Sequence, residues 1–319
     1  MKVLVTGGAG YIGSMLVGRL LREGYEVRVL DALLYGGESL LPVWSDPAFE
    51  FRGGDIRDAD IVASAMQGVE AVVHLAAIVG DPACARAPEL ARAVNLHASL
   101  DLIDAAERSG VRRFIFASTC SNYGRMADPE GYVTEDSPLA PVSLYAETKV
   151  AVERALLGSG PTRALAATAL RFATVFGVSA RMRFDLTVNE FTLSMVRDRR
   201  LVVFGEQFWR PYVHVRDVAG AVLHVLRAPV ASVGGEVFNV GSTTQNFQKR
   251  QLVDLIRGWA PDADVEYVAR REDPRDYRVS FAKISERLGF ATTATVRDGV
   301  AEVAALVSAG IVPAAPGTA

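Results

Sequence analysis

Cysteine is nearly absent: Cys84 and Cys120 are the chain's two, too few and too far apart for a disulfide framework or a zinc site. An excess of one charge is lacking as well. Thirty-four Lys+Arg stand against 37 Asp+Glu, a formal charge of −3 over 319 residues. That balance argues against broad electrostatic binding to nucleic acid or to an anionic membrane. No apolar run reaches the length of a membrane span, and no internal repeat is visible. Met1-Lys2-Val3 runs into a strand-like segment with no signal peptide ahead of it, so a cytoplasmic location is expected. What is present is 50% hydrophobic and 22% charged, ordinary for an α/β enzyme and enough for one large or two medium domains.

The chain opens on its most informative stretch. Lys2 to Val5 reads as a buried parallel strand, and Ser14 to Arg22 carries the three-to-four spacing of a helix. Between them lies Thr6-Gly7-Gly8-Ala9-Gly10-Tyr11-Ile12-Gly13. Gly7 permits a tight turn, Gly10 lets the backbone approach a pyrophosphate, and Gly13 lets helix and strand pack closely. The helix N-terminus then offers N–H groups and a positive dipole end to the anion. A second strand, Glu26 to Leu30, ends in Asp31, where a dinucleotide fold places the carboxylate that holds the ribose hydroxyls. An acid there repels a 2′-phosphate, which favours NAD over NADP.

Strands and helices alternate through the first half, the pattern of a doubly wound parallel sheet, the Rossmann arrangement. Strands are expected near Phe49–Phe51, over Ala71–Ala77 and Arg113–Ala117, and over Leu165–Arg171; helices over Asp60–Gln67 and Leu90–Arg108 and from Tyr145. His74, inside an apolar strand, reads as structural. After Phe172 the composition turns toward arginine and aromatics. A loop is expected over Val178–Asp185, a helix over Leu186–Arg197, a short strand over Leu201–Gly205, and a helix ending near Arg227. Phe238-Asn-Val-Gly241 reads as the last strand of the main sheet. Residues 1–171, completed by roughly 212–245, then form the cofactor domain; 172–211 and 246–312 form a smaller, discontinuous C-terminal substrate domain. Residues 248–258 and 283–288 look helical, and 313–319 should be a disordered tail.

Tyr145 and Lys149 are four apart on an expected helix and share one face. Thr119 stands at the carboxyl end of a strand, where open α/β sheets place reactive groups. Lys149 and a positive nicotinamide ring both favour the phenolate of Tyr145, lowering its pKa toward neutrality. Tyr145 can then take a proton from a sugar or alcohol hydroxyl while hydride leaves the same carbon for the ring. Thr119 orients that oxygen through a hydrogen bond.

With the spacing Gly-x-x-Gly-x-x-Gly, Asp31, Asp55-Ile56, His74-Leu-Ala-Ala77, Thr119, Tyr145/Lys149, Arg171–Gly177, Arg210-Pro-Tyr-Val-His-Val and Phe238-Asn-Val-Gly241, the chain resembles an extended short-chain dehydrogenase/reductase of the NAD-dependent sugar-nucleotide epimerase/dehydratase family. The resemblance implies NAD contacts at Gly7, Gly10, Tyr11, Ile12, Asp31, Asp55, Ile56, Leu75, Ala76, Ala77, Asn95, Ser118, Tyr145, Lys149 and Phe172. It implies contacts to a nucleotide-diphosphate sugar at Val79, Cys120, Ser121, Thr174, Asp185, Leu186, Arg210 and Arg270. It also implies a homodimer, in which Leu90–Arg108 and Tyr145–Leu157 pair across the subunits.

Departures from the family pattern narrow the reaction. Dehydratases of the family follow the threonine with acidic residues, and decarboxylating members keep a glutamate two residues after it. Here Cys120, Ser121 and Asn122 follow. Thr174 stands where many relatives have asparagine. The runs Ser179–Leu186 and Glu272–Arg278 resemble a branch acting on less common nucleotide sugars, including heptoses oxidised at C4. Epimerisation by transient oxidation at C4 of a hexose or higher sugar is the leading expectation. A net 4-dehydrogenase or ketoreductase is the alternative, and a dinucleotide-sensing regulator the non-enzymatic one.

Overall fold

The structure, a computed structural model, describes residues 1–126, 128, 131–158, 165–270 and 275–311. Six short apolar runs form successive parallel strands: β1 (Lys2–Thr6), β2 (Glu26–Asp31), β3 (Phe49–Gly53), β4 (Ala71–His74), β5 (Arg113–Thr119) and β6 (Ala166–Phe172). The chain then leaves to build β7 (Thr174–Phe176), β8 (Arg200–Phe204) and β9 (Trp209–His214), and returns as β10 (Glu236–Val240) beside β6. The order β10-β6-β5-β4-β1-β2-β3 reverses between β1 and β4, the topological switch point of a doubly wound Rossmann sheet. β9 is the middle of a second sheet, paired on one side with β7 and on the other with β11 (Asn246–Gln248), and β8 pairs with β12 (Asp264–Val268).

Both faces of the main sheet are covered, as its unbroken apolar strands require. In β1, Val3 and Val5 face a cluster with Leu16, Val17 and Leu20 of α1 (Tyr11–Arg22), while Leu4 faces the other side. That side is filled by α2 (Ala59–Met66) and by the helices before and after β5. The helical run before β5 is broken into α3 (Asp81–Arg86), α4 (Pro88–Arg92), a π turn at Ala93–His97, and α5 (Ala98–Arg108). After β5 comes α6 (Leu144–Leu157), started by Ser143, whose side chain accepts from the Ala146 N–H. Later helices are α7 (Thr187–Leu193), α8 (Val215–Arg227), α9 (Val230–Val233), α10 (Lys249–Ile256), α11 (Ala282–Leu288) and α12 (Val296–Ser308). A separate core of Phe176, Val188, Phe191, Tyr212, Leu252, Ile256 and Val300 sits under the two small sheets.

The expected strands and helices are present with shifted ends. β4 stops at His74, which leaves Leu75–Ala77 as loop. Sequence reasoning missed β12 and α12, although Thr295 and Asp298 form a capping box at the start of α12. The expected tail at 313–319 lies outside the described residues. Among the described residues no helix is long and apolar enough to cross a membrane.

Candidate active site

The carboxyl ends of β1 and β4 open into a cavity of about 510 Å³. Its floor is the glycine turn. Gly7 has φ +74°, and a Cβ there would come within 2.7 Å of the Ala76 nitrogen; one on Gly13 would lie 2.2 Å from the Gly7 carbonyl oxygen. Gly10 is the N-cap of α1 and no side chain caps that end, so the first-turn N–H groups face the cavity. The Asp31 carboxylate accepts from the Ala9 N–H (2.9 Å) and the Leu33 N–H (2.8 Å), one bond to each oxygen, which leaves lone pairs for a vicinal diol. Tyr11, Ile12, Ile56, Leu75, Ala76, Ala77 and Phe172 complete this wall. A bare backbone cradle, an open helix end and a fixed carboxylate fit a dinucleotide. Asp55 also lines the wall, but the Arg57 guanidinium grips it and holds its carboxyl below the usual carboxylate range.

Behind the floor runs a buried polar chain. The Asn95 side chain accepts from the Ile78 N–H and donates to the Ile78 carbonyl, both at 2.8 Å. Asn95 itself does not reach the cavity; it braces the 75–78 backbone that does. The π turn aims it inward, and the Ser99 hydroxyl takes up the Asn95 carbonyl at 2.9 Å. With its hydrogen used there, Ser99 accepts from His74 Nε2 (2.9 Å), and His74 Nδ1 then accepts from Thr6 (2.7 Å). Burial, helped by the charge of Lys149, pushes the His74 pKa down to about 3, so the ring stays neutral. The structural reading of His74 holds.

Thr119, Tyr145 and Lys149 converge on the cavity. The Thr119 oxygen accepts from the Ser121 N–H at 3.1 Å, leaving its own hydrogen to give. Lys149 Nζ donates to the Ala117 carbonyl at 2.8 Å and lies 5.8 Å from the Tyr145 ring centroid. Burial pushes the Lys149 pKa down to about 8. The expected lowering of Tyr145 is not found. Burial instead raises its hydroxyl well above the ordinary value, with the Arg183 charge opposing. A phenolate needs cations at its oxygen, and here the ammonium is turned to a carbonyl.

After Thr119 the chain alternates. Ser121 lines the cavity, as does Ser118, whose hydroxyl donates to Glu153 at 2.7 Å. Cys120 faces the opposite way into the core, its Sγ 3.3 Å from the Arg171 carbonyl, and touches no substrate space. On the sugar side, Val79, Thr174, Asp185, Leu186 and Arg210 line the wall. Arg270 does not. Its guanidinium lies over the Phe204 ring, 4.9 Å from the centroid, and Arg275 stands at the cavity instead, paired with Asp81 at 2.7 Å. Of the run 272–278, residues 272–274 lie outside the described residues. Sequence reasoning gave no role to Tyr35, Asp81, Arg181, Arg183, Lys249 or Tyr277, all of which line the cavity. Asp81 and Lys249 open α3 and α10, and the others stand in loops, which have no periodicity to aim a side chain; the dense Arg181-Met-Arg183 run was the one signal.

The sequence profile of the NAD dependent epimerase/dehydratase family matches residues 3–241. A UDP-glucose 4-epimerase of Mycolicibacterium smegmatis is 33% identical, covering 95% of this chain and 97% of its own. A dTDP-glucose 4,6-dehydratase of Streptomyces griseus is also 33% identical, covering 98% and 99%. The crystal structure of DesIV, a dTDP-glucose 4,6-dehydratase from Streptomyces venezuelae with NAD bound, superposes with a TM-score of 0.86 at 30% identity, covering 97% of both chains. With that match over most of its length, this chain belongs to the NAD dependent epimerase/dehydratase family and is an NAD-dependent enzyme.

Proposed function

We propose that the protein epimerises a nucleotide-diphosphate sugar at C4. Bound NAD supplies the hydride acceptor. Tyr145 takes the proton of the C4 hydroxyl, Thr119 hydrogen-bonds that oxygen, and Lys149 swings from the Ala117 carbonyl to favour the phenolate. Re-reduction from the other face of the sugar completes the cycle. One observation carries this reading over dehydration, since relatives of both kinds are equally identical. Four carboxylates line the described cavity, and each is committed: Asp31 to backbone N–H groups, Asp55 to Arg57, Asp81 to Arg275, Asp185 to Arg183. None remains as an acid–base pair beside Thr119 to expel water.

The test is incubation with UDP- and dTDP-sugars, read by mass and NMR. An epimer of unchanged mass, formed over many turnovers without added cofactor, is expected. Loss of a water from the product would establish dehydration, and stoichiometric NADH a net 4-dehydrogenase. We further propose that residues 1–171 with 212–245 form the cofactor domain and 172–211 with 246–312 the sugar domain. Across a homodimer α4, α5 and α6 pair, which the exposed Leu90 supports; light scattering showing only monomer would refute the dimer.

A further inference from the structure

Tyr35 and Arg181 meet across the cleft. The loop after β2 carries Tyr35, and the loop after β7 carries Arg181; both side chains line the cavity. The Arg181 guanidinium carbon lies 4.2 Å from the Tyr35 ring centroid, well inside the range of a cation–π contact. The two sides are mounted differently. Arg181's loop is bolted to the first turn of α1: Tyr11 donates its hydroxyl hydrogen to the Gly177 carbonyl at 2.6 Å, and Ser179 donates to the Tyr11 carbonyl at 2.7 Å. Asn189 holds the same loop from behind through Gly177 N–H and the Arg183 carbonyl. This ties the loop that carries Arg181 to the first turn of the helix that receives the pyrophosphate. Tyr35 is 47% exposed, on a tight turn closed by Gly36 N–H to the Leu33 carbonyl, between the positive-φ residues Leu33 and Gly36. One jaw is anchored and the other is a short surface turn that leads directly from Asp31.

We propose that Tyr35 and Arg181 form a clasp over the cofactor cleft that keeps the dinucleotide in place between turnovers. Asp31, below the clasp, holds the ribose end, and the glycine turn holds the pyrophosphate; the Tyr35–Arg181 contact roofs the space between. Burial and the Arg183 charge hold the Arg181 guanidinium below its ordinary pKa, with Tyr35, Asp185 and Asp31 opposing. The clasp rests on the reading that the enzyme recycles its own cofactor, because only such a cycle gains from slow release.

Release is measured without sugar, so the result stands apart from the reaction. The full chain is loaded with NADH, mixed with excess NAD, and followed by nicotinamide fluorescence. Arg181→Ala and Tyr35→Ala should each release NADH roughly threefold faster, the scale of one partly exposed cation–π contact. Tyr35→Phe keeps the ring face and should release at the wild-type rate. The double variant Tyr35→Ala/Arg181→Ala should be no faster than either single one, since the two side chains make one contact. Unchanged release in both single variants overturns the clasp, as do additive effects in the double variant. Normal retention with net NADH production would instead remove the epimerase reading and leave the clasp standing.

Discussion

On the cofactor side of the cleft the floor is backbone: Gly7 and Gly13 leave no room for a methyl group, Gly10 little, and an open helix end offers peptide N–H groups beside the Asp31 carboxylate. On the sugar side it is long side chains: Arg183 against Asp185, Arg275 against Asp81, Arg210 over the Tyr277 ring. A backbone wall accepts one ligand shape and fails outright when crowded. A side-chain wall can be altered residue by residue, and substrate choice can drift there while the cofactor stays the same.

On that contrast, damage should be graded from the seam outward. The largest effect belongs to Tyr145, which stands between the walls. Tyr145→Phe removes the proton acceptor and little volume, so turnover should fall by on the order of 10²–10⁴ with nucleotide-sugar binding nearly intact. Near-normal turnover would mean a different base. On the backbone wall, Gly13→Ala should cost roughly 1–3 kcal/mol or more through overpacking against the Gly7 carbonyl. Calorimetry should show NAD binding lost; an ordinary Kd would end the claim that this wall cannot yield.

Asp31→Ala should weaken NAD by about 1.5–3 kcal/mol for each charge-assisted hydrogen bond lost. It should also narrow the preference for NAD over NADP, and equal affinities in the unaltered protein would contradict the role of the acid.

Lys149 gives a pH signature. Its folded pKa of about 8 lies below the ordinary 10.5, so from pH 8 to 10.5 the unfolded chain holds a proton that the folded one has released. Lys149's share of stability therefore rises with pH across that window. Denaturant melts of cofactor-free protein should show the rise, and Lys149→Met should flatten it; identical slopes would place the ammonium in water.

Arg275→Ala should be mildest. Its ion pair with Asp81 is partly exposed, and such pairs contribute roughly 0–1 kcal/mol. KM for the nucleotide sugar should move a few-fold and NAD binding not at all, so a large change in NAD affinity would erase the distinction between walls.

The same contrast explains what could be read in advance. The glycine turn, Asp31, Thr119, Tyr145 and Lys149 sit on or beside elements with clear periodicity, and periodicity fixes direction. Cys120 could not be excluded that way: β5 ends at Thr119, and the tight helical turn that begins at Cys120 sends its thiol into the core. Arg270 and Arg275 could not be told apart: both are arginines of one aperiodic loop, and tertiary packing alone puts Phe204 beneath the first and Asp81 beside the second. β12 was missed because its side chains are mostly exposed and its partner, β8, is distant in sequence. Tyr145's raised pKa was also beyond reach, since it comes from burial of the hydroxyl, which tertiary packing alone decides.

The late return of β10 to the main sheet matters on the ribosome. Until residues 236–240 emerge, β6 presents an unpaired edge of seven residues, six of them destined to be buried. At the usual rate of synthesis, that edge stays open for roughly several seconds while the intervening segment is made. The nascent chain is then at its most prone to stick to a neighbour, so a chaperone's strongest claim on this protein falls in that interval.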